Sequence, residues 1–432
     1  MKSEDKKINS GFDKLTTRRS FFKSAGIAGL GGIIAATGAY AADANTPGPN
    51  EPNAPEPNAP PAPKPEKIPT RKLGKTGAEV PILSLGFGRP GEQIVLRQAL
   101  DWGVNHWDTS LFAANSEQSI GAFLAKNPDL RKDIFLVTKE SQSKTADDLE
   151  KCLQTSLKHL NTSYIDLYFG VYMVNDMVRF TDDVKQWAEN AKKRGVIKHF
   201  GFTTHQNMSQ CLMAASKLDW IDAIMTSYNF RLTQDAAMQE AIEACHKAGI
   251  GLIAMKTQGM RPRGPVNSAN VEADKKMIAH FTDKGFTEGQ AKIKMVLDDK
   301  RISTVCSSMA TTSMLMTNIA AVLDKTSLTA EDKNVFNQYA QETCTGYCAG
   351  CSHICGPLAA GVPVSDIMRA LMYHNSYGDK AGAKEVFAQI PAEIRNRLLS
   401  VDYSAAEARC PNRMPIGRIV ADAVALFSQT SA

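Results

Sequence analysis

From about residue 80 onward, short apolar and β-prone runs alternate with longer amphipathic ones. The short runs read PILSLGFG, VNHWDTS, IFLVTKE, YIDLYFGVYMV, VIKHFGFTTH, AIMTSYNF, GIGLIAMKT and ISTVCSSM, eight in all. Between them lie segments such as ADDLEKCLQTSLKHL, DDVKQWAENAKKRG and DAAMQEAIEACHKAG, with apolar residues at three- and four-residue spacing. That spacing builds one apolar helix face, and a following glycine is the usual helix stop. Eight strand–helix units in roughly 260 residues predict a closed parallel (β/α)8 TIM barrel. A doubly wound sheet is the weaker fit, because LGFGRPGE after the first strand lacks the GxGxxG spacing of a dinucleotide-binding turn. Barrel chemistry gathers at the carboxyl ends of strands, where this chain places Asp108, Lys139, His205, Asn229 and Lys256.

The segments outside this pattern divide the chain further. Residues 17–23 read TRRSFFK and precede a weakly apolar run, Ser24–Ala42, that holds five glycines and ends in small residues. This resembles a twin-arginine signal peptide over residues 1–44. It predicts export through the twin-arginine translocase to the periplasm or cell envelope. A membrane anchor is the alternative, opposed by glycines that weaken a spanning helix. Residues 45–69 hold 10 of the chain's 20 prolines and predict an extended spacer. The barrel is expected over 70–330 and a mainly helical domain over 331–432. The net charge of +5 changes little. The first 44 residues carry 7 basic and 4 acidic side chains, which leaves 43 against 41 elsewhere and no footprint for nucleic acid.

The ordered set RKLGKTGAEVPILSLGFG, GVNHWDTS, FLVTKE, YIDLYF, GVIKHFGFTTH, IDAIMTSYNF and GIGLIAMK resembles the landmarks of aldo/keto reductases over about residues 70–325. The resemblance implies a barrel that passes hydride between an extended nicotinamide cofactor, NAD(P), and a small-molecule carbonyl or alcohol. It also implies four catalytic residues: an Asp, a Tyr five positions later, a Lys ending the third strand and a His ending the fourth. Asp108 and Lys139 match. Ala113 stands where the Tyr belongs, and Val171, or Tyr172 with one inserted residue, stands where the His belongs. Delivering hydride to a carbonyl creates an oxyanion that needs an acid within about 3 Å. Either Asp108 and Lys139 are a structural remnant, or Tyr172 serves as the substitute acid beside Lys139. For the cofactor, Tyr228 matches the residue that stacks on nicotinamide, with Asn229, Lys256 and Asn318 as further contacts. No basic residue follows the eighth strand in SSMATTSMLMTN, which favours NAD or a weakly discriminated NADP.

Five of the nine cysteines lie beyond residue 340. Cys344, Cys348, Cys351 and Cys355 are spaced C-x3-C-x2-C-x3-C, and Cys410 precedes Pro411. The pattern is close to the ferredoxin run C-x2-C-x2-C-x3-C-P. It resembles a branch of aldo/keto reductases with a helical cysteine domain after the barrel. That implies a 4Fe-4S cluster on Cys344, Cys348, Cys351 and Cys410, with Cys355 spare or replacing Cys344, and an electron-transfer partner. Zinc, disulfides and a radical S-adenosylmethionine motif are the alternatives.

Overall fold

The computed structural model describes residues 65–427 apart from 88–91, 114, 141–142, 144 and 259–267. The signal segment and most of the proline-rich spacer lie outside them. Each apolar run contains one strand: β3 (Leu83–Gly86), β4 (His106–Asp108), β5 (Phe135–Lys139), β6 (Ile165–Val174), β7 (Ile197–Thr204), β8 (Ala223–Ser227), β9 (Gly251–Met255) and β10 (Ile302–Ser308). These pair in parallel and in chain order, and β10 returns to β3 to close the barrel. The expected (β/α)8 fold is therefore what the chain adopts. Two earlier strands, β1 (Thr70–Lys72) and β2 (Glu79–Pro81), form an antiparallel hairpin that the sequence reading did not separate from the barrel. The hairpin residues Leu73 and Val80 join the interior layer of Val137, Leu167, Phe169, Ala223, Met225, Ile253 and Met255, so the barrel is filled.

The helices form where sequence periodicity and caps agree. Helix Ala146–His159 begins with a reciprocal capping box between Thr145 and Asp148, buries Leu149, Leu153 and Leu157, and ends on Lys158 and His159. That order satisfies its first N–H groups and places cations at the negative end of its dipole. Helices Asp182–Lys193 and Ala236–Lys247 are followed by Gly195 and Gly249 in the left-handed region, the expected stops.

After β10 the chain becomes all helical. Helix Ala330–Glu342 packs Phe336 and Tyr339 against Phe230 and Phe281 of the barrel region, and each buried aromatic contributes about 1.5–3 kcal/mol or more. The helices beyond it share a core of Ile367, Leu371, Phe387, Leu398, Ile419 and Val420. The chain from Ile68 onward is one compact unit, with this helical cap seated on the carboxyl ends of the barrel strands. No helix among the described residues is long and apolar enough to cross a membrane.

Candidate active site and thiol cluster

Alternation along β4 and β5 turns Asp108 and Lys139 into the barrel. The Lys139 Nζ lies 2.6 Å from both Asp108 oxygens and 2.7 Å from the Thr109 carbonyl. Its three N–H donors are thereby committed. Both side chains are buried, and burial raises the Asp108 pKa against the pull of Lys139. Cys306 donates to Asp108 at 3.6 Å from β10. The pair is a closed ionic lock at the base of the mouth.

At Tyr172 the strand β6 is irregular. Its pairing with β7 shifts register around Val171, and Met173 has φ +54°. The groups acting on the Tyr172 phenol are Tyr373, Arg369, Lys256 and Asp108. The expectation that Lys139 would draw Tyr172 toward phenolate is corrected, since Lys139 is spent on Asp108 and Thr109. Burial dominates and pushes Tyr172 up to about 12. The better-placed phenol is Tyr373, on the cap helix Val364–Tyr377. Its hydroxyl is 3.2 Å from Lys256 Nζ, and that ammonium lies 4.5 Å over the Tyr373 ring. Burial alone raises a phenol's pKa, but Lys256 and then Arg369 outweigh it and lower that of Tyr373. Lys256 follows β9 with φ +61°, a costly backbone state for a side chain other than glycine, and lines the mouth.

The proposed cofactor contacts separate. Ala223 and Met225 face inward on β8, so Tyr228 faces outward by alternation. It is 1% exposed, and its hydroxyl bonds to Asp299 and Gln239 in the outer layer. The nicotinamide-stacking assignment for Tyr228 is therefore corrected, because that ring is not presented to the mouth. Asn229 does face the mouth, donating to the Tyr347 hydroxyl at 3.2 Å. Asn318 is buried in a polar triad with Gln258 and Ser307, at 2.9 and 3.1 Å. A nicotinamide ring would have Asn229 and Lys256 for polar contact but no stacking tyrosine at position 228.

All nine cysteines are free thiols, so the disulfide alternative is not realised. Cys348, Cys351, Cys355 and Cys410 line one cavity of about 370 Å³. Cys351 is pushed up to about 12 by burial and by the neighbouring thiols Cys348, Cys355 and Cys410, and Cys355 to about 11 by burial and by Cys348 and Cys410. Cys344 does not line that cavity. It lies in the turn Cys344–Gly346, beside the Arg231 guanidinium rather than in the thiol cavity. The extended Tyr347 breaks the Cys344–Cys348 spacing, whereas helix Ser352–Leu358 carries Cys351 and Cys355 onto one face. Among the described residues, no group of three or more His, Cys, Asp or Glu side chains is gathered to hold a metal ion. A zinc ion needs its sulfurs about 2.3 Å from one point, while a cubane takes thiolates at separate corners around a cavity. The loop that carries Cys348 and Cys351 docks through Gly350, whose φ is +78° and where a Cβ would stand 2.3 Å from the His205 carbonyl oxygen.

The sequence model of the aldo/keto reductase family matches residues 89–336, more than half of the chain. The chain belongs to the aldo/keto reductase family. L-Galactose dehydrogenase of Arabidopsis thaliana is 24% identical over 288 residues, 60% of this chain and 90% of that protein. Aldo-keto reductase yakc [NADP(+)] of Schizosaccharomyces pombe is 37% identical over 126 residues, 24% of this chain and 36% of that protein. The holo form of aldo-keto reductase AKR11C1 from Bacillus halodurans superposes with a TM-score of 0.50 at 20% identity, covering 63% of this chain and 96% of that one, a likeness of fold.

This aldo/keto reductase retains the Asp–Lys pair and lacks both other proton-handling residues at their expected positions. Ala113 lies in the loop after β4, and Val171 is buried. What the sequence reading missed is the contribution of the cap, namely Tyr347, Ser365, Arg369 and Tyr373. A signal was present: Ser365, Arg369 and Tyr373 recur every four residues and so share a helix face.

Proposed function

We propose that this aldo/keto reductase is an oxidoreductase that moves hydride between a nicotinamide cofactor, NAD(P), and a small carbonyl or alcohol at the barrel mouth. In reduction, hydride adds to the carbonyl carbon and a phenol of the Tyr172–Tyr373 pair gives a proton to the oxygen; oxidation reverses both. Lys256 holds Tyr373 and favours its charged form, the part that a neighbouring cation plays for an acid that must reload. Asp108 and Lys139 fix the floor beneath them. Asn229 and Lys256 are the polar contacts offered to the cofactor.

We assign Cys348, Cys351, Cys355 and Cys410 as ligands of a 4Fe-4S cluster, which supplies one-electron exchange with a partner protein when bound. Two such one-electron exchanges, together with one proton, amount to one hydride. The observation that carries this reading is the position of Tyr347, Cys348 and Ala349, which line both the thiol cavity and the mouth cavity. The two redox sites are adjoining rooms. Residues 1–44 are proposed as the twin-arginine signal and 45–69 as the spacer that delivers the barrel (70–330) and its helical domain (331–432) to the periplasm or cell envelope. Arg18, Arg19 and the glycine-rich run support this.

The saturated Asp108–Lys139 pair favours a second reading, in which the barrel relays electrons and no longer performs hydride chemistry. One experiment separates the two. Protein purified without oxygen is expected to be brown, with iron and labile sulfide in equal amounts, and to release a dinucleotide on denaturation. Iron and sulfide without dinucleotide, and without any carbonyl reduction on adding NADH or NADPH, would leave the relay reading. Zinc without sulfide would remove the cluster from both.

A further inference from the structure

The cavity at the barrel mouth is a built site, and its lining specifies a ligand. The space between its walls, open solvent included, is about 430 Å³. Strand ends supply His205, Ser227, Asn229 and Lys256, and the cap helix supplies Ser365 and Arg369. Lys256 and Arg369 bring two positive charges, and no carboxylate lines the space. Lys256 gives one N–H to Tyr373, which leaves donors for a ligand. Arg369 is 6% exposed and pairs with Asp366 at 3.0 Å, leaving part of its forked donor set unspent.

A second observation is independent of charge. The Ser365 hydroxyl is buried, lines the same cavity and makes no hydrogen bond with any described residue. A buried polar group left unpaired costs about 1–3 kcal/mol, so it marks a place where a partner is missing. The strained Lys256 backbone is a third cost located at this cavity.

We propose that the cavity binds a small oxo or hydroxy carboxylic acid, with its carboxylate held by Lys256 and Arg369 and a further oxygen taken by Ser365. This names the substrate class of the mouth site proposed above and rests on that reading for the chemistry, though not for the binding. Charge selects a carboxylate over a phosphate. Asp366 offsets one of the two cations, so the net positive charge of one at the site suits a monoanion. The phenols of Tyr172 and Tyr373, in electrostatic contact with Lys256, are the proton-bearing groups near that charge.

Isothermal titration calorimetry on the protein as purified tests the binding without requiring turnover. The probes are pyruvate, lactate, acetate and benzoate, with uncharged methyl pyruvate and inorganic phosphate as counter-probes. At least one acid is expected to bind saturably and about tenfold or more tighter than methyl pyruvate or phosphate. Lys256→Met and Arg369→Met should each weaken that acid about tenfold, with Lys256→Arg restoring most of the loss. Ser365→Ala, which leaves charge and fold in place, should weaken it severalfold. No saturable binding by any acid, equal binding of acid and ester, tighter binding of phosphate, or unchanged binding in Ser365→Ala would overturn the proposal. Failure of the redox reading is read separately, from iron, sulfide and dinucleotide content.

Discussion

The wall of the barrel and its mouth obey different rules. In the wall, inward residues alternate with outward ones, and the interior from Leu73 to Met255 is apolar. At the mouth the regularity fails in several places. Met173 after the β6 register shift, Asn207 after β7 and Lys256 after β9 all adopt positive φ without being glycine. At two of these places the cap docks: Asn207 accepts from the His353 backbone N–H and its own N–H donates to the Gly350 carbonyl, while Lys256 meets Tyr373. Backbone strain is thus present where two layers combine to make a pocket, and the wall supplies the stability that tolerates it.

The largest expected effect breaks the floor between these regions. Lys139→Met strands Asp108 as a buried unpaired charge and should cost about 3–5 kcal/mol in urea unfolding, with Asp108→Leu in the same chain restoring much of it. Full stability in Lys139→Met would mean that the lock is not closed in solution. Next in size is the docking of the cap. Gly350→Ala places a Cβ against the His205 carbonyl in a backbone region it disfavours, and should cost about 1–3 kcal/mol. Its signature would be faster proteolysis within residues 340–427 while the barrel stays resistant. A smaller effect sharpens the mouth itself. In Lys256→Met, Tyr373 loses the cation that lowers its pKa, so its phenolate should form only at higher pH in an ultraviolet titration compared against Tyr373→Phe. An unshifted titration would separate Lys256 from the proton chemistry.

The contrast also explains what was legible in the sequence. Strand runs such as IFLVTKE and helices such as Ala146–His159 depend on local alternation and caps, and the eight strands fall inside the eight runs. Asp108 and Lys139 were legible because strand parity fixes where a terminal side chain points. Parity also decides Tyr228, whose outward position could have been read by counting from Ala223 and Met225. The mouth was not legible. Tyr373 meets Lys256 across more than a hundred residues of chain, and Arg369 comes from equally far along it to line the same cavity. Cys344 misled for the opposite reason: its spacing to Cys348 repeats that of Cys351 to Cys355, but only the second pair is carried by a helix.

We propose that the cap builds a redox site against the mouth from Cys348, Cys351, Cys355 and Cys410. The most direct test is iron and labile-sulfide content, with the visible spectrum, of Cys344→Ser and Cys355→Ser purified side by side without oxygen. The account predicts that Cys344→Ser stays brown with iron and sulfide at the level of the unaltered protein, while Cys355→Ser loses most of both. Loss in Cys344→Ser with retention in Cys355→Ser, or no sulfide in the unaltered protein, would contradict it.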